Sequence, residues 1–466
     1  MSQVDPSAIR NAILDSIPRD VFAADAPDPR FLYLPDSHVR ALDPDSMLVV
    51  GARGTGKSFW WGALQNTATL KIVERLFPSR SHDRLDVVGG WGQGSQPDKD
   101  VLAPLMAMNP RIVWKTITLD RLDPQFFAGS AFWKDRVALV QSDPEKIARR
   151  LSAIDEELLK ARTRKLVLFD ALDRVADSWP DRQKLLKGLF ELLLEFRYTR
   201  SIRLKAFVRA DAVEAPEIRA FPDASKLLHA RVELAWPKID LYGLFWQHLG
   251  NAQKGGKQVR DLIKGWRGGD ARWELPEKLS KDEGTQKDLF TTLAGEKMGG
   301  SIKRGRPYVW IPNHLADARG QTTPRSFLAA LRTAAEQTAE DYVPTLDWRA
   351  IQQGVVKASE IRVDEIKEDF PWMEVVMEPL RNRLTVPCEQ KEVLSLWERS
   401  AVLKTIASSP GTKQLPPRFA EGPAGLLRDL EQLGVLQQRS DNRINVPDLY
   451  RVKFGMGRRG GVPPAR

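Results

Sequence analysis

The segment SMLVVGARGTGKSFWW, residues 46–61, restricts the fold of this chain more than any other stretch. Met47 to Val50 form a short apolar run, the pattern of a strand buried on both faces of a parallel sheet. Gly51, Ala52, Arg53, Gly54, Thr55, Gly56, Lys57 and Ser58 follow as G-x-x-x-x-G-K-S, and Phe59 opens a stretch suited to a helix. Glycines let the backbone curl until its N–H groups point inward at phosphate oxygens. A lysine at this spacing reaches the β- and γ-phosphates, and the serine hydroxyl meets Mg²⁺. The helix start adds partial positive charge at the same place. Strand, loop and helix together predict a parallel α/β sheet with a nucleotide site at residues 51–59.

Such a loop needs a second strand that ends in a carboxylate for Mg²⁺. KLVLFDALDRVADSW supplies it: Lys165 to Phe169 is the strand, and Asp170 joins Ser58 as a metal ligand. Between the two strands, RIVWKTITL (111–119) predicts another strand. IRLKAFVR (202–209) and RVELAW (231–236) complete a set of five. Helical patterns such as DRQKLLKGLFELLLEF fall between some of them, and this alternation indicates a parallel sheet covered on both faces. Residues 80–110, rich in Gly, Pro and polar side chains, read as an insertion.

With a strand between the loop strand and the carboxylate strand, the chain resembles the additional-strand branch of P-loop ATPases from about residue 30 to residue 345. That branch includes AAA+, origin-recognition-like, STAND and KAP ATPases. The resemblance implies sheet order 5-1-4-3-2, with ATP and Mg²⁺ as cofactors. Asp170-Ala171-Leu172-Asp173, followed by Arg174, is similar to the D-x-L-D motif of STAND and KAP members. Many AAA+ motors carry a glutamate directly after the metal aspartate, where this chain has Ala171. Asp173 is the nearest residue able to position water, and a base must come within hydrogen-bond reach of that water. Slow hydrolysis is the expectation; the plainer reading of Asp173 is an acid capping the next helix.

The resemblance further implies that Arg209, at the end of the fourth strand, senses the γ-phosphate; an ion pair with Asp211 is the alternative. Arg325, in GQTTPRSFLAALRTAAEQ, resembles a sensor-2 arginine. Thr322 or Thr323 would cap that helix and Pro324 would take its first position. An ordinary first-turn arginine is the alternative. Arg219 and Arg231 flank the fifth strand, where fingers acting on a neighbour's nucleotide lie in the ATPases that this chain resembles. No N-K-x-D follows the core, so ATP is expected rather than a guanine nucleotide.

On these lines the chain divides into an N-terminal arm (1–45), an ATPase core (46–240), a helical lid (241–345), a linker (346–385) and a C-terminal domain (386–466). The lid carries a basic insertion at 251–310, where Lys303, Arg304 and Arg306 form either a phosphate contact or a solvated turn. In the C-terminal domain, KEVLSLWERSAVLKTIASS reads as helices. Leu426, Leu427, Leu430 and Leu433 share a helical face that Gly434 ends, and VLQQR and RINV flank the turn SDN. This resembles a winged helix with a basic tail, GRRGGVPPAR. Winged helices bind DNA or protein, and AGLLRDLEQLG offers only Arg428 as a cation, which favours a protein contact over base reading.

Composition narrows the setting. Net charge is +10, compatible with double-stranded DNA as a partner or with a solubilising surface. Cys388 is the single cysteine, which excludes an internal disulfide and Cys-rich zinc sites and fits a cytoplasmic protein. His38, His82, His229, His248 and His314 show no paired metal spacing. The first twenty residues lack the order of a secretory signal, and no apolar run approaches the ~18 residues of a membrane span. The reading reached is a switch ATPase whose nucleotide state controls lid, homo-oligomer and winged-helix contacts, with its output in a separate effector protein. Bacterial defence is a class-level association of such architectures. Two alternatives stay open: a DNA-engaging ATPase, and a nucleotide-stabilised scaffold with little turnover.

Overall fold

The computed structural model describes residues 5–19, 27–77, 83–105, 107–176, 178–269, 271–408 and 415–458. They form two compact units. Residues 27–29 and 36–235 make one, and residues 5–19, 30–35 and 236–458 make the other.

The first unit is built on a parallel sheet of five strands: β1 (Leu48–Gly51), β2 (Arg84–Trp91), β3 (Thr163–Phe169), β4 (Ile202–Arg209) and β5 (Val232–Glu233). Their order is β2-β3-β4-β1-β5, which is 5-1-4-3-2 read from the opposite edge. β1 is hydrogen-bonded on both sides and all its residues are buried, which is why its sequence is an unbroken apolar run. Val50, Val167 and Phe169 of the sheet share one core with Trp114, Ile117, Leu189 and Leu193 of the helices.

One strand expectation is overturned. RIVWKTITL is not a strand but the body of the helix Pro110–Leu122. The Asn109 side chain caps it by accepting from the Arg111 N–H at 3.0 Å, and Pro110 holds the first helical position. Its threonines are satisfied inside the helix: Thr116 donates to the Ile112 carbonyl at 2.8 Å and Thr118 to the Trp114 carbonyl at 2.9 Å. Val113, Trp114 and Ile117 form the helical stripe that enters the core. A run buried nearly all round looks the same in both periods, and here the cap decides.

The seat beside β3 belongs to β2, inside the stretch that reads as an insertion. Its glycines, which made it look like loop, are required by packing. A Cβ at Gly90 would lie 2.8 Å from the Phe169 ring, and one at Gly89 would lie 2.6 Å from the Gln65 side chain.

The second unit is mainly helical. The helix Pro6–Ser16 is tied to residues 339–342 by Arg10, whose guanidinium donates to the carbonyls of Ala339, Glu340 and Tyr342. The helix expected after residue 240 runs over Lys238–Gly250, and most of its residues are buried. Residues 251–310 include the helices Gly256–Leu262 and Glu283–Ala294 and a small hairpin, Arg267–Gly269 with Arg272–Glu274. Lys303, Arg304 and Arg306 lie on an exposed turn. Thr323 caps the helix Pro324–Gln337, accepting from the Ser326 N–H. That helix packs along the 22-residue helix Trp348–Asp369, and a Cβ at Gly354 would lie 2.2 Å from the Ala330 carbonyl oxygen.

Toward the C-terminus come the helices Gln390–Arg399, Val402–Ser408 and Gly422–Gln432. The last of them gives way at Gly434, whose φ is +72°, to the antiparallel pair Gln437–Gln438 and Ile444–Asn445. Thr385–Val386 pairs in parallel with Gly457–Arg458, and Cys388 bridges to Ile444. Residues 459–466 of the basic tail lie outside the described residues. Among the described residues, no helix is long and apolar enough to cross a membrane.

Candidate functional site

The glycine loop leaves the C-terminal end of β1 and enters the helix Lys57–Gln65. Gly54 and Gly56 have φ of +83° and +98°, the left-handed region where only glycine is unstrained. At the other end of the loop, a Cβ on Gly51 would meet the Thr55 hydroxyl at 2.4 Å. That hydroxyl donates to the Ala52 carbonyl at 2.8 Å and closes the turn. Lys57 folds back over the loop, its ammonium donating to the carbonyls of Gly51 at 3.0 Å and Ala52 at 2.8 Å. Phe59 stays 40% exposed in the first turn of the helix, edge-on to Trp60.

Two strand ends bring the remaining groups in. β3 delivers Asp170, whose N–H donates to the Trp91 carbonyl of β2 at 2.9 Å. Its carboxylate is buried and accepts from the Ser58 hydroxyl and the Ala171 N–H. Ser58 and Asp170, predicted to share one cation, are thus in direct contact. Their hard oxygen atoms suit Mg²⁺. Ala171 takes a left-handed conformation, φ +53°, unusual for a residue with a Cβ. It opens the single turn Leu172–Arg174, in which Asp173 lies within electrostatic reach of both Asp170 and Lys57. β4 delivers Arg209, which stands opposite Gly51 in the strand register. Arg209 pairs with Asp211 at 3.0 Å, the alternative that the sequence had allowed.

The electrostatics follow from this crowding. Burial, and then the neighbouring Arg209, lower Lys57 to about 8, against the pull of Asp170, Asp173 and Asp211. Burial pushes the Asp170 carboxyl up, while the Ser58 hydrogen bond and Lys57 oppose the rise. A free site of this kind carries a lysine that loses its proton around pH 8. ATP affinity is therefore expected to stay level below about pH 8 and to fall above it, toward tenfold per pH unit. Binding titrations from about pH 6.5 to 9.5 measure this, with Lys57→Arg as the control that stays charged throughout.

Of the five histidines, expected in core or surface roles rather than on a metal, His38 takes a core one. His38 is fully buried between the loop helix and the end of β5. Its Nδ1 accepts from the Trp60 indole at 3.1 Å, so its Nε2 carries the proton and donates to the Ala235 carbonyl at 3.0 Å. Burial lowers its pKa to about 4, so it is a neutral strut at neutral pH. Only a search for buried polar partners of Trp60 would have singled out this role.

The three other predicted arginines have local settings of their own. Arg325 belongs to the second unit, where it pairs with Glu365. Glu365 also accepts from the buried Arg362, whose Nε donates to the Tyr450 hydroxyl at 3.2 Å. Arg219 is exposed at the end of the short helix Pro216–Arg219. Arg231 donates to the Leu228 carbonyl at 3.1 Å and pairs with Glu233 at 3.5 Å.

No family model and no curated protein matches this sequence. Several solved structures resemble it. The Aeropyrum pernix ORC2 protein, solved as ADPNP–ADP complexes, is 12% identical with a TM-score of 0.40, over 90% of this chain and 92% of that one. Cdc6p from Pyrobaculum aerophilum is 11% identical with a TM-score of 0.34, over 96% and 94%. Drosophila ORC bound to DNA is 14% identical with a TM-score of 0.32, over 96% and 91%. Likeness at this level establishes no shared activity.

Proposed function

We propose that this chain is an ATP-binding, slowly hydrolysing switch ATPase. The observation that carries the reading is the convergence of Lys57, Ser58, Asp170, Asp173 and Arg209 around one glycine loop at the C-terminal ends of β1, β3 and β4. Ligands of parallel α/β sheets bind at that edge. The N–H groups of residues 51–58 would cradle the phosphates, and Lys57 would exchange the carbonyls of Gly51 and Ala52 for phosphate oxygens. Ser58 and Asp170 would hold Mg²⁺, which supplies charge neutralisation when bound. Asp173 would orient the attacking water. Arg209 would leave Asp211 to report the γ-phosphate.

In this reading the second unit is the part that responds. A phosphate bound by Arg325 would compete with Glu365 for its guanidinium. Glu365 also accepts from Arg362, whose Nε donates to the Tyr450 hydroxyl, so a weakened Arg325 pair would be felt along these contacts. The chain of pairs gives the winged-helix-like C-terminal segment a physical link to Arg325. Oligomerisation in the ATP state, a separate effector and a defence role are parts of the same proposal.

DNA engagement is the second reading, favoured by the net charge of +10. Against it, Arg428, the cation of the helix Gly422–Gln432, is paired with Glu421, and Asp429 is buried against Arg418. The deciding experiment is ATP binding and turnover by the purified chain, with and without duplex DNA. Tight binding with slow turnover that DNA leaves unchanged is expected. Turnover that rises severalfold with DNA would favour the second reading, and absence of ATP binding would remove both.

A further inference from the structure

A recess of about 680 Å³ lies in the C-terminal segment, lined among others by Thr385, Arg439, Arg443, Asn445 and Arg458. Two short strand pairs make its walls. One is Gln437–Gln438 with Ile444–Asn445, the other Thr385–Val386 with Gly457–Arg458. They are joined through Cys388 and Ile444, which exchange backbone hydrogen bonds of 3.0 and 2.8 Å. Gly457 lets the wall close up, since a Cβ there would lie 2.7 Å from the Thr385 hydroxyl.

The groups that face the recess are donors. Arg458 is fixed by Asp448 at 2.8 Å, by the Val446 carbonyl at 2.9 Å and by the Asn445 side-chain oxygen. That last bond occupies the acceptor end of Asn445 and leaves its amide N–H₂ to donate. Arg443 spends Nε and Nη2 on Asp441 and keeps Nη1. The Arg439 guanidinium makes no hydrogen bond or ion pair among the described residues. Carboxylates are present too. Asp441 and Glu389 face Arg443, and buried Asp448 is shared between Arg458 and Arg451. Three carboxylates thus stand against four guanidiniums, and Arg439 and Arg451 both press on Arg458.

We infer that this recess is a binding site for a nucleotide-sized ligand with a terminal phosphate, gripped by Arg439, Arg443, Arg458 and the Asn445 amide. A phosphate offers only acceptors and matches the guanidinium fork. A phosphomonoester carries about −1.5 to −2 charges at pH 7, more than one phosphodiester, and so gains more from converging cations. The volume lies inside the ~300–1,000 Å³ of small-molecule sites, which leaves room for a sugar and base behind the phosphate. A duplex backbone would call for cations in a row along a surface, and here they meet in one hollow. The ligand is either a free mononucleotide or the 5′ end of a strand. The inference does not depend on what the glycine loop binds.

The test uses the full chain carrying Lys57→Ala, which silences the glycine loop. A short single strand labelled at its 3′ end is titrated with a 5′-phosphate and with a 5′-hydroxyl, read by fluorescence anisotropy, with AMP as competitor. The 5′-phosphate is expected to tighten binding at least about tenfold, or AMP to bind by itself at least that much more tightly than adenosine. Arg439→Ala should erase the preference, and Asn445→Ala should weaken it. AMP that displaces the strand identifies a free nucleotide as sufficient; a 5′-phosphate preference that AMP cannot compete away identifies a strand end. Equal binding of the two strands with no preference for AMP over adenosine overturns the inference. A preference that survives Arg439→Ala overturns it too. Arg439→Ala in the chain with Lys57 intact should leave the Lys57-dependent ATP binding unchanged, which separates this site from the glycine loop.

Discussion

Replacing Lys57 by alanine is expected to weaken ATP binding by about a hundredfold, while the fold survives. The magnitude follows from what the side chain offers. A hydrogen bond to a charged partner contributes about 1.5–3 kcal/mol, and ~2.7 kcal/mol is a hundredfold in affinity. The fold should tolerate the change because, among the described residues, the hydrogen bonds of the Lys57 ammonium go to the loop carbonyls of Gly51 and Ala52. The closure of the turn by Thr55 onto Ala52 does not involve Lys57. Isothermal titration with ATP and Mg²⁺, alongside thermal melting, reads both parts. Unchanged affinity in the variant would remove the glycine loop as the nucleotide site.

Asp173→Asn is expected to lower turnover by about 10²–10⁴-fold and to leave ATP affinity within a few-fold. The isosteric amide keeps the volume and loses the basicity, so it separates water activation from binding. The placement of Asp173 supports this use. It sits in the turn directly after the left-handed Ala171, and its charge reaches both Asp170 and Lys57. Asp170 is less suited to be the base, because it is buried and already accepts from Ser58. Turnover that survives Asp173→Asn would return Asp173 to a role in shaping the turn Leu172–Arg174. Loss of ATP affinity together with turnover would instead make it part of the binding electrostatics.

Much of the candidate site could be read from the chain because its parts are local. The spacing from Gly51 to Ser58 dictates a loop whose glycines take the positive φ values observed at Gly54 and Gly56. Asp170 and Arg209 could be found because each ends an apolar run that is a buried strand. Neighbours in sequence decide such features, so composition and spacing carry them. The ion pair of Arg209 with Asp211 is local as well, two residues apart. The contact between Ser58 and Asp170 depends on strand order, which the family resemblance implied and which holds with RLDVVGGW, not RIVWKTITL, beside β3.

Other parts depended on which surfaces meet in space. RIVWKTITL carries the β-branched residues of a strand. It becomes a helix because Asn109 caps it, and because Gly188 lets a neighbouring helix approach to where a Cβ would lie 2.7 Å from the Pro110 and Arg111 backbone. RLDVVGGW holds the glycines of a loop and becomes β2 because Phe169 and Gln65 press against those same glycines. His38 is a lone histidine in sequence, yet it becomes a strut only when Trp60 and Ala235 flank its ring. Arg439, Arg443 and Arg458 reach one hollow only after two strand pairs join through Cys388. Apart from the Asn109 cap, which is local, the deciding contacts are between residues distant along the chain. Backbone propensities favour either outcome by ~1 kcal/mol or less per residue, so long-range packing chooses between them.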